Sequence, residues 1–203
     1  MTPNKNYSKV FRVFKKHYEL VPLEFFGDDP YKTLVSTLMS ARTKDDTTLN
    51  AAKKLFNIAS DVNELNNLTE SEISKLIYPV GFYKTKAKHI KELARTVLLS
   101  YGGKIPKTQK ELTALPGVGV KTANLVLNRA YNIPAIAVDT HVHRISNFLG
   151  WVDSKTPEET LSQLTKTLPK KYWKDINKLF VSIGRQYTSR KKLVDFLKEN
   201  KLI

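Results

Sequence analysis

Residues that start α-helices recur along this chain, and they constrain its fold more than any other feature of the sequence. In GDDPYKTLVSTLMSA, Asp29 stands at an N-cap and Pro30 at the first helical position, an arrangement that helix N-termini favour. The apolar residues that follow repeat at helical spacing, so a helix is predicted to about Ala41.

The same signals predict further helices. Two capping boxes are expected, in which a Thr and the Glu three residues later satisfy each other's backbone N–H groups: Thr69 with Glu72, and Thr108 with Glu111. One helix is predicted from Asp45 or Asp46 through TTLNAAKKLF, and another through FYKTKAKHIKELARTVLLSYGG until Gly102. Helical spacing also follows Asp139 and continues in PEETLSQLTKTL, YWKDINKLFVSIG and KLVDFLKEN, whereas alternating β patterns are not evident. The predicted fold class is all-α.

The charge of the chain points to a polyanion as its partner. Thirty-four Lys and Arg residues against nineteen Asp and Glu residues give a formal charge of +15, so nucleic acid is the first partner to consider. Cysteine is absent, which excludes disulfides, zinc held by cysteine and a cluster held by four cysteines. The scattered histidines indicate no metal site either.

Membrane insertion and secretion are not expected. No apolar run approaches the roughly 20 residues that a membrane span needs, and the start MTPNKNYSKVF lacks the apolar region of a secretory signal. We therefore expect an intracellular protein, in the cytoplasm or nucleoid. We also expect it to be a monomer.

The segment LPGVG predicts a tight helical hairpin. One helix is expected to end near Leu115 and the next to begin near Val120, so little room is left for the turn. Gly117 and Gly119 allow positive φ and a close approach by another molecule, and the amides of Gly117, Val118 and Gly119 are candidates to bind a DNA phosphate. The alternative is that both glycines serve only to turn the chain.

The segment LPGVGVKTAN is followed by Asp139 in AVDTHVHR, eighteen residues after Lys121. This block resembles the helix-hairpin-helix motif and the Gly/Pro-rich aspartate loop of the endonuclease III family of DNA glycosylases. Two other stretches, YKTLVSTLMSARTKDD and VGFYKTKAKHI, resemble the loops that this family inserts into DNA.

The resemblance implies two helical domains. Residues 22–134 would form a six-helix domain with the helix-hairpin-helix, and residues 1–21 with 135–203 would form the second domain from both chain ends. Double-stranded DNA with a damaged base or an abasic site would lie in the cleft between them.

Lys121 and Asp139 are the residues that the resemblance makes catalytic. An uncharged amine can attack C1′ of the sugar and form a Schiff base, and a carboxylate can stabilise the positive charge that builds on the sugar. β-Elimination from the imine would then cut the strand, which makes a glycosylase with AP lyase activity. The structural alternatives are a helix N-cap for Asp139 and a solvated first-turn residue for Lys121.

By the same resemblance, Arg42 and Phe82 occupy the two loop tips that enter the duplex when the damaged nucleotide leaves the stack. Arg42 would contact the orphaned base and Phe82 would fill the gap, although the family more often has Gln and Leu there. Alternatively, Arg42 contacts only phosphate and Phe82 belongs to the core. Asp45, which also suits a helix N-cap, and His141 are candidates for the base pocket, and Arg144 for a structural or phosphate contact.

The C-terminal segment IGRQYTSRKKLVDFLKEN departs from the family, whose members mostly carry four cysteines there for an iron–sulfur cluster. Ser189 stands near the first ligand position, and no cofactor is expected. An apolar face is predicted to replace the cluster, and three basic residues keep the charge: Arg190, Lys191 and Lys192. Lys191 is a candidate DNA contact.

The family's usual substrates, oxidised pyrimidines, are the expected lesions. Two alternatives stay open. One is a mismatch or uracil glycosylase, although such relatives usually lack a lysine at the position of Lys121, and the other is a catalytically silent protein that binds damaged DNA.

Overall fold

The structure, a computed structural model, describes residues 6–203. This part of the chain forms α-helices without a strand, as the sequence predicts. The helices are α1 Tyr7–Lys16, α2 Pro30–Ser40, α3 Asp45–Ile58, α4 Val62–Asn67, α5 Glu70–Ile77, α6 Tyr83–Tyr101, α7 Gln109–Thr113, α8 Val120–Arg129, α9 Thr140–Phe148, α10 Pro157–Thr167, α11 Trp173–Gln186 and α12 Arg190–Glu199. None of these helices is long and apolar enough to cross a membrane.

The predicted start of α2 is confirmed. Asp29 accepts a hydrogen bond from the N–H of Lys32 at 3.0 Å, and Pro30 occupies the first helical position. The capping box of α5 is also confirmed, because Thr69 accepts from the N–H of Glu72 at 3.2 Å and the Glu72 carboxylate accepts from the N–H of Thr69 at 2.7 Å.

Two predicted helices differ in their capping, and one helix was not predicted. Thr108 caps α7, but the Glu111 carboxylate accepts from the Thr108 hydroxyl at 2.6 Å, which leaves the box half formed. Helix α3 begins at Asp45, as predicted, but its N-cap is Lys44, so Asp45 lies in the first turn, where its charge suits the helix dipole. Helix α4, which Asp61 caps, was not predicted.

The chain divides into two compact units, and the first is Pro22–Ile133. It contains α2 to α8, with α2 packed against α3, α6 and α8. The apolar residues of α2 are buried because the helix is surrounded on three sides, and Leu34, Val35 and Met39 have no exposed surface. The position of α8 on α2 fixes the hairpin that precedes α8.

The second unit combines the described part of Met1–Val21 with Pro134–Ile203. Helix α11 lies at its centre and packs against α1 and α9. Phe14, Trp151 and Phe180 are fully or almost fully buried in this core. At the C-terminal end, the rings of Tyr187 and Phe196 stack with their centres 4.2 Å apart.

The predicted apolar face of α12 is confirmed. Leu193 and Leu197 have no exposed surface, and Phe196 is 3% exposed. Val194 is half-buried. Burial of these side chains attaches the C-terminal helix to the rest of its unit.

Candidate nucleic-acid interface and active site

The glycine turn between α7 and α8 is tightly constrained at Gly117. This residue has φ +75°, and a Cβ there would lie 2.8 Å from Nδ1 of His89 and 3.0 Å from its Cβ. The turn is closed by a hydrogen bond from the N–H of Val118 to the carbonyl of Leu115, at 3.1 Å. Gly117 is therefore required by its backbone conformation and by its contact with α6.

Gly119 is different, and the expectation of positive φ there is wrong. Gly119 is the N-cap of α8 with φ −90°, a conformation that any residue adopts. A Cβ at Gly119 would meet no described atom within 4 Å. The first N–H of α8 with a partner inside the helix is that of Ala123, which donates to the carbonyl of Gly119 at 2.9 Å. The preceding N–H groups make the open start of α8 suited to an anion.

Val118 supports the turn itself. Its side chain is 7% exposed, and its N–H donates to the carbonyl of Leu115. The turn is held further by Asn124, a buried residue of α8 whose amide oxygen accepts from Gln109 on α7 at 2.7 Å. Lys121, in the first turn of α8, is exposed on this fixed hairpin.

Arg42 and Phe82 lie side by side at exposed loop tips. Arg42 lies between α2 and α3, and Phe82 is the N-cap of α6. Their φ angles are 53° and 57°, which is rare for residues with side chains. Cζ of Arg42 lies 5.8 Å from the centre of the Phe82 ring, within the range of a cation–π contact. Phe82 is 62% exposed, so it does not belong to the core.

The two loops are joined by polar contacts that the sequence did not predict. The Lys86 ammonium donates to the carbonyls of Met39 and Ala41, at 2.6 and 2.5 Å, and to Oγ1 of Thr43 at 3.1 Å. The N–H of Gly81 donates to the same Oγ1 at 3.1 Å. Lys86 is only 7% exposed, and burial lowers the pKa of its amine to about 8. The only feature of the sequence that could have indicated this contact is the position of Lys86, which lies next to Ala87 on the buried side of α6.

Asp139 is the N-cap of α9, as predicted. Its Oδ1 accepts from the N–H of Val142 at 2.8 Å. Among the described residues no hydrogen bond to Oδ2 is found, and Asp139 is half-buried. One carboxylate oxygen therefore starts the helix.

The segment that leads to Asp139 is buried and anchored. Ile136, Ala137 and Val138 are each at most 7% exposed. Asn177, a buried residue of α11, donates to the carbonyl of Ala137 at 3.1 Å. This anchor was not predicted from the sequence, because an Asn within an apolar helix pattern does not reveal its partner.

The two candidates that follow Asp139 on α9 have contacts within their own unit. A Cβ at Gly184 would lie 2.1 Å from Nδ1 of His141, so the His141 ring packs directly on the backbone of α11. Arg144 donates to the carbonyls of Thr188, Gly184 and Tyr187, at 2.8, 3.4 and 3.4 Å. Arg144 therefore binds the C-terminal end of α11, which is the structural role among its two predicted alternatives.

The segment at the predicted cluster position offers no thiolate ligand. The sequence lacks cysteine, and Oγ of Ser189 accepts from the N–H of Lys192 at 3.2 Å as the N-cap of α12. Three or more His, Cys, Asp or Glu side chains that could share a metal ion do not occur together in residues 6–203. These residues do not fit an iron–sulfur cluster. The guanidinium of Arg190 lies over the ring of Phe148, whereas Lys191 is exposed.

Comparison with known proteins identifies the family. Residues 35–170 match the family model of the HhH-GPD superfamily base excision DNA repair protein. Endonuclease III of Thermotoga maritima is 48% identical over 158 residues, which are 78% of this chain and 74% of the relative. Endonuclease III-like protein 1 of Gallus gallus is 43% identical over 159 residues, 77% of this chain, and the match spans 57% of that longer protein.

Solved structures agree with the family match. A non-covalent endonuclease III–DNA complex has a TM-score of 0.85 at 28% identity, covering 99% of this chain and 98% of the other. A trapped endonuclease III–DNA covalent intermediate has a TM-score of 0.81 at 28% identity, covering 94% and 90%. Since the family model matches more than half of the chain, the chain belongs to the HhH-GPD superfamily of base excision DNA repair proteins, and within it to the endonuclease III family of DNA glycosylases.

Proposed function

We propose that this protein removes oxidised pyrimidines from double-stranded DNA and then cuts the strand at the abasic site. The observation that carries the proposal is the exposed Lys121 amine in the first turn of α8, directly after a hairpin whose shape is fixed by Gly117 and Asn124. The trapped covalent complex of an endonuclease III with DNA supports a nucleophile in this family.

The chemistry assigned to Lys121 is covalent. Its neutral amine attacks C1′, the bond to the base breaks with its electron pair moving to the base, and the base takes up a proton. The attached nitrogen loses a proton, the C1′–O4′ bond breaks as the nitrogen lone pair forms the C=N bond, and O4′ takes up a proton. The sugar ring is thereby opened to a protonated Schiff base, which acidifies the C2′ proton. Removal of that proton expels the 3′ phosphate by β-elimination and cuts the strand.

Asp139 is assigned the stabilisation of the positive charge that develops on the sugar. Its Oδ2 suits this role, since Oδ1 is occupied by the N–H of Val142. The Asn177 contact to Ala137 supports the assignment, because it holds the segment before Asp139 in one position.

DNA binding is assigned to the hairpin and the two loop tips. The N–H groups of Gly117 and Gly119 are not used by the hydrogen bonds of the turn, and they precede the open start of α8. The side chains of Arg42 and Phe82 are exposed and adjacent, as a pair that enters the duplex requires. We assign Lys191 a contact with a DNA phosphate. Asp45 and His141 are assigned to the base pocket.

We also propose that residues 22–134 are one domain and that residues 1–21 with 135–203 are the other, which the two compact units support. No cofactor is assigned, because the sequence has no cysteine and Ser189 caps a helix. The proposed site uses residues of one chain and the substrate is chromosomal DNA, so we propose an intracellular monomer.

Borohydride trapping tests the proposal. Borohydride added during reaction with abasic-site DNA reduces a Schiff base, so wild type is expected to form a covalent protein–DNA adduct. Lys121→Ala should lose the adduct and keep DNA binding, because the hairpin amides are unchanged. Lys110→Ala, an exposed lysine of α7, is the matched control and should trap like wild type.

The outcomes distinguish the alternatives. An adduct from Lys121→Ala equal to that of wild type would remove Lys121 from the mechanism. Binding by wild type without any adduct or cleavage would instead indicate a silent binding protein. Removal of the base without strand cleavage, on a panel of single-lesion duplexes, would indicate a monofunctional glycosylase of the mismatch or uracil type.

A further inference from the structure

Lys86 is the centre of a polar lock between the two loop tips. We define the lock as Lys86, Thr43 and Gly81 with their mutual contacts. Lys86 lies one turn after Phe82 on α6, and its ammonium reaches across to Met39, Ala41 and Thr43, which flank Arg42 on the other loop. Each loop tip is thereby attached to the other through a single side chain.

The hydrogen-bonding capacity of Lys86 is fully used. An ammonium group has three N–H donors, and each finds an acceptor at the end of α2 or on the Arg42 loop that follows it. Two of these acceptors are carbonyls at the C-terminal end of α2, where helix carbonyls lack partners inside the helix. A buried charge is tolerated only when it is paired or fully hydrogen-bonded, so the contacts are expected to form together.

Thr43 completes the lock from the other side. Its Oγ1 accepts from Lys86 and from the N–H of Gly81, so the residue after Arg42 is bound to the residue before Phe82. The backbones also touch: a Cβ at Gly81 would lie 2.6 Å from the carbonyl oxygen of Arg42. Only glycine at position 81 permits this approach.

From this geometry we propose that Lys86 is a positioning residue for base eversion, which holds Arg42 and Phe82 together as one preformed wedge. The inference rests on the proposed glycosylase function. Arg42 and Phe82 both have left-handed backbones, a conformation that costs free energy and persists only when neighbouring contacts hold it. A wedge that is already in place does not need to be ordered while the base leaves the stack.

The proposal predicts a difference between two substrates. A lesion base that is still stacked must be displaced, whereas a preformed abasic site has no base to displace. Lys86→Met, which removes the ammonium donors and keeps an apolar stem of four atoms, is expected to slow excision of the stacked lesion by about tenfold or more under single-turnover conditions. Strand cleavage at the abasic site should fall by less than about threefold.

The matched control is Lys88→Met. Lys88 is an exposed lysine on the same helix, paired at 4.0 Å with Glu92, and its loss removes the same charge without touching the lock. Lys88→Met is expected to retain the wild-type rates on both substrates. A loss in Lys88→Met equal to that in Lys86→Met would overturn the proposal, because charge alone would then explain the effect.

A double-mutant cycle separates positioning from general folding damage. If Lys86 acts through the wedge, its loss should matter little once the wedge is gone. Lys86→Met is therefore expected to cost less than about twofold in a background of Arg42→Ala with Phe82→Ala. The same loss in both backgrounds, or equal losses on the two substrates, would contradict the positioning role.

Thr43→Val is the second test, and it decides the question if Lys86→Met does not fold. It removes the shared hydroxyl and leaves Lys86 two carbonyl partners. Excision of the stacked lesion should fall by at least about threefold, with abasic-site cleavage and melting temperature near those of wild type. Unchanged excision would refute the lock. If wild type itself fails to cleave lesion DNA or to form the borohydride adduct, the proposed function fails instead.

Discussion

Cζ of Arg42 lies 5.8 Å from the centre of the Phe82 ring, and both residues have left-handed backbones at the ends of separate loops. The contact couples a hydrogen-bonding side chain to a stacking one. A guanidinium that is placed beside a ring is suited to contact the base that loses its partner, while the ring fills the space of the displaced base.

Arg42→Ala is therefore expected to change the ranking of A, G, C and T opposite the lesion, because the guanidinium donors no longer reach the orphaned base. Cleavage rates on four duplexes that differ only in that base provide the measurement. A uniform loss over the four duplexes would mean that Arg42 contacts only phosphate.

The two glycines of the hairpin are expected to respond differently to alanine. Gly117→Ala should lower the free energy of unfolding by about 1–3 kcal/mol, since φ is +75° and a Cβ would meet His89. Gly119→Ala should lower the free energy of unfolding by less than Gly117→Ala, because its methyl group would contact no described atom and only the poorer N-cap of Ala would count. It should weaken DNA binding, because the methyl group would project toward the bound phosphate. Thermal melts and binding titrations check both variants, and wild-type affinity in Gly119→Ala would remove this position from the DNA contact.

Asp139→Asn should reduce base excision by about a hundredfold or more, since each 1.36 kcal/mol of lost stabilisation slows the reaction about tenfold. Borohydride trapping on a preformed abasic site should be less impaired, because that step has no base to release. Asn caps helices about as well as Asp, so the melting temperature should stay close to that of wild type. Equal losses in the two assays, with an unchanged melt, would show that Asp139 serves both steps.

Lys191 and Lys192 are expected to contribute to the salt dependence of DNA binding. Their joint change to Ala should flatten the slope of log affinity against log salt by up to about 1.8, at about 0.9 for each lost phosphate contact. Arg190 is kept, because its guanidinium lies over Phe148. The control with the same charge loss changes two exposed lysines in and just before α10, Lys155 and Lys166. An identical slope change in both proteins would show that α12 makes no special contribution to DNA binding.

The free energy of unfolding should depend on pH through the titration of Lys86. Burial lowers the pKa of this amine to about 8, whereas an unfolded lysine titrates near 10.4. Between these values the unfolded state binds more protons than the folded state, so the Lys86 contribution to the free energy of unfolding rises with pH. It rises by at most about 1.4 kcal/mol per pH unit and is constant below the folded pKa.

Urea titrations of wild type and Lys86→Met between about pH 7 and pH 10 give the measurement. Burial also raises the pKa of Tyr131 to about 12, but this group is present in both proteins and cancels in the difference. A difference between the two proteins that stays constant across the range would show that Lys86 keeps an ordinary pKa.

The local parts of the fold were predictable from the sequence. Asp29 and Thr69 cap helices through contacts only three residues away, so the residue types and their spacing are enough to predict them. Lys121 and Asp139 were predicted to be catalytic because the segments that contain them resemble motifs of the endonuclease III family, and their roles stay predictions. Helix α4 was missed, since its six residues are too few to establish an apolar period and its N-cap is Asp61 rather than the Thr of a predicted capping box.

The supporting contacts were not predictable, because their partners are backbone atoms far away along the chain. Lys86 donates to the carbonyl of Met39, which lies 47 residues earlier in the chain. Asn177 donates to the carbonyl of Ala137, which lies 40 residues earlier. A carbonyl is present in every residue, so no side-chain pattern marks the one that is used. Gly119 shows the same limit, because a glycine at a helix start indicates neither its φ nor its surroundings.

The Asp139 carboxylate begins α9, and if it also has the catalytic role proposed above, this double use narrows the routes by which the protein can evolve. A substitution at position 139 would then act on the helix and on the reaction together, so selection for folded protein would remove most replacements before their effect on catalysis is exposed. Only side chains that still begin the helix, such as Asn or Ser, give a persistent protein with altered chemistry. Descendants that bind damaged DNA without cutting it should therefore carry one of these residues, and libraries built to find them need cover little else at this position.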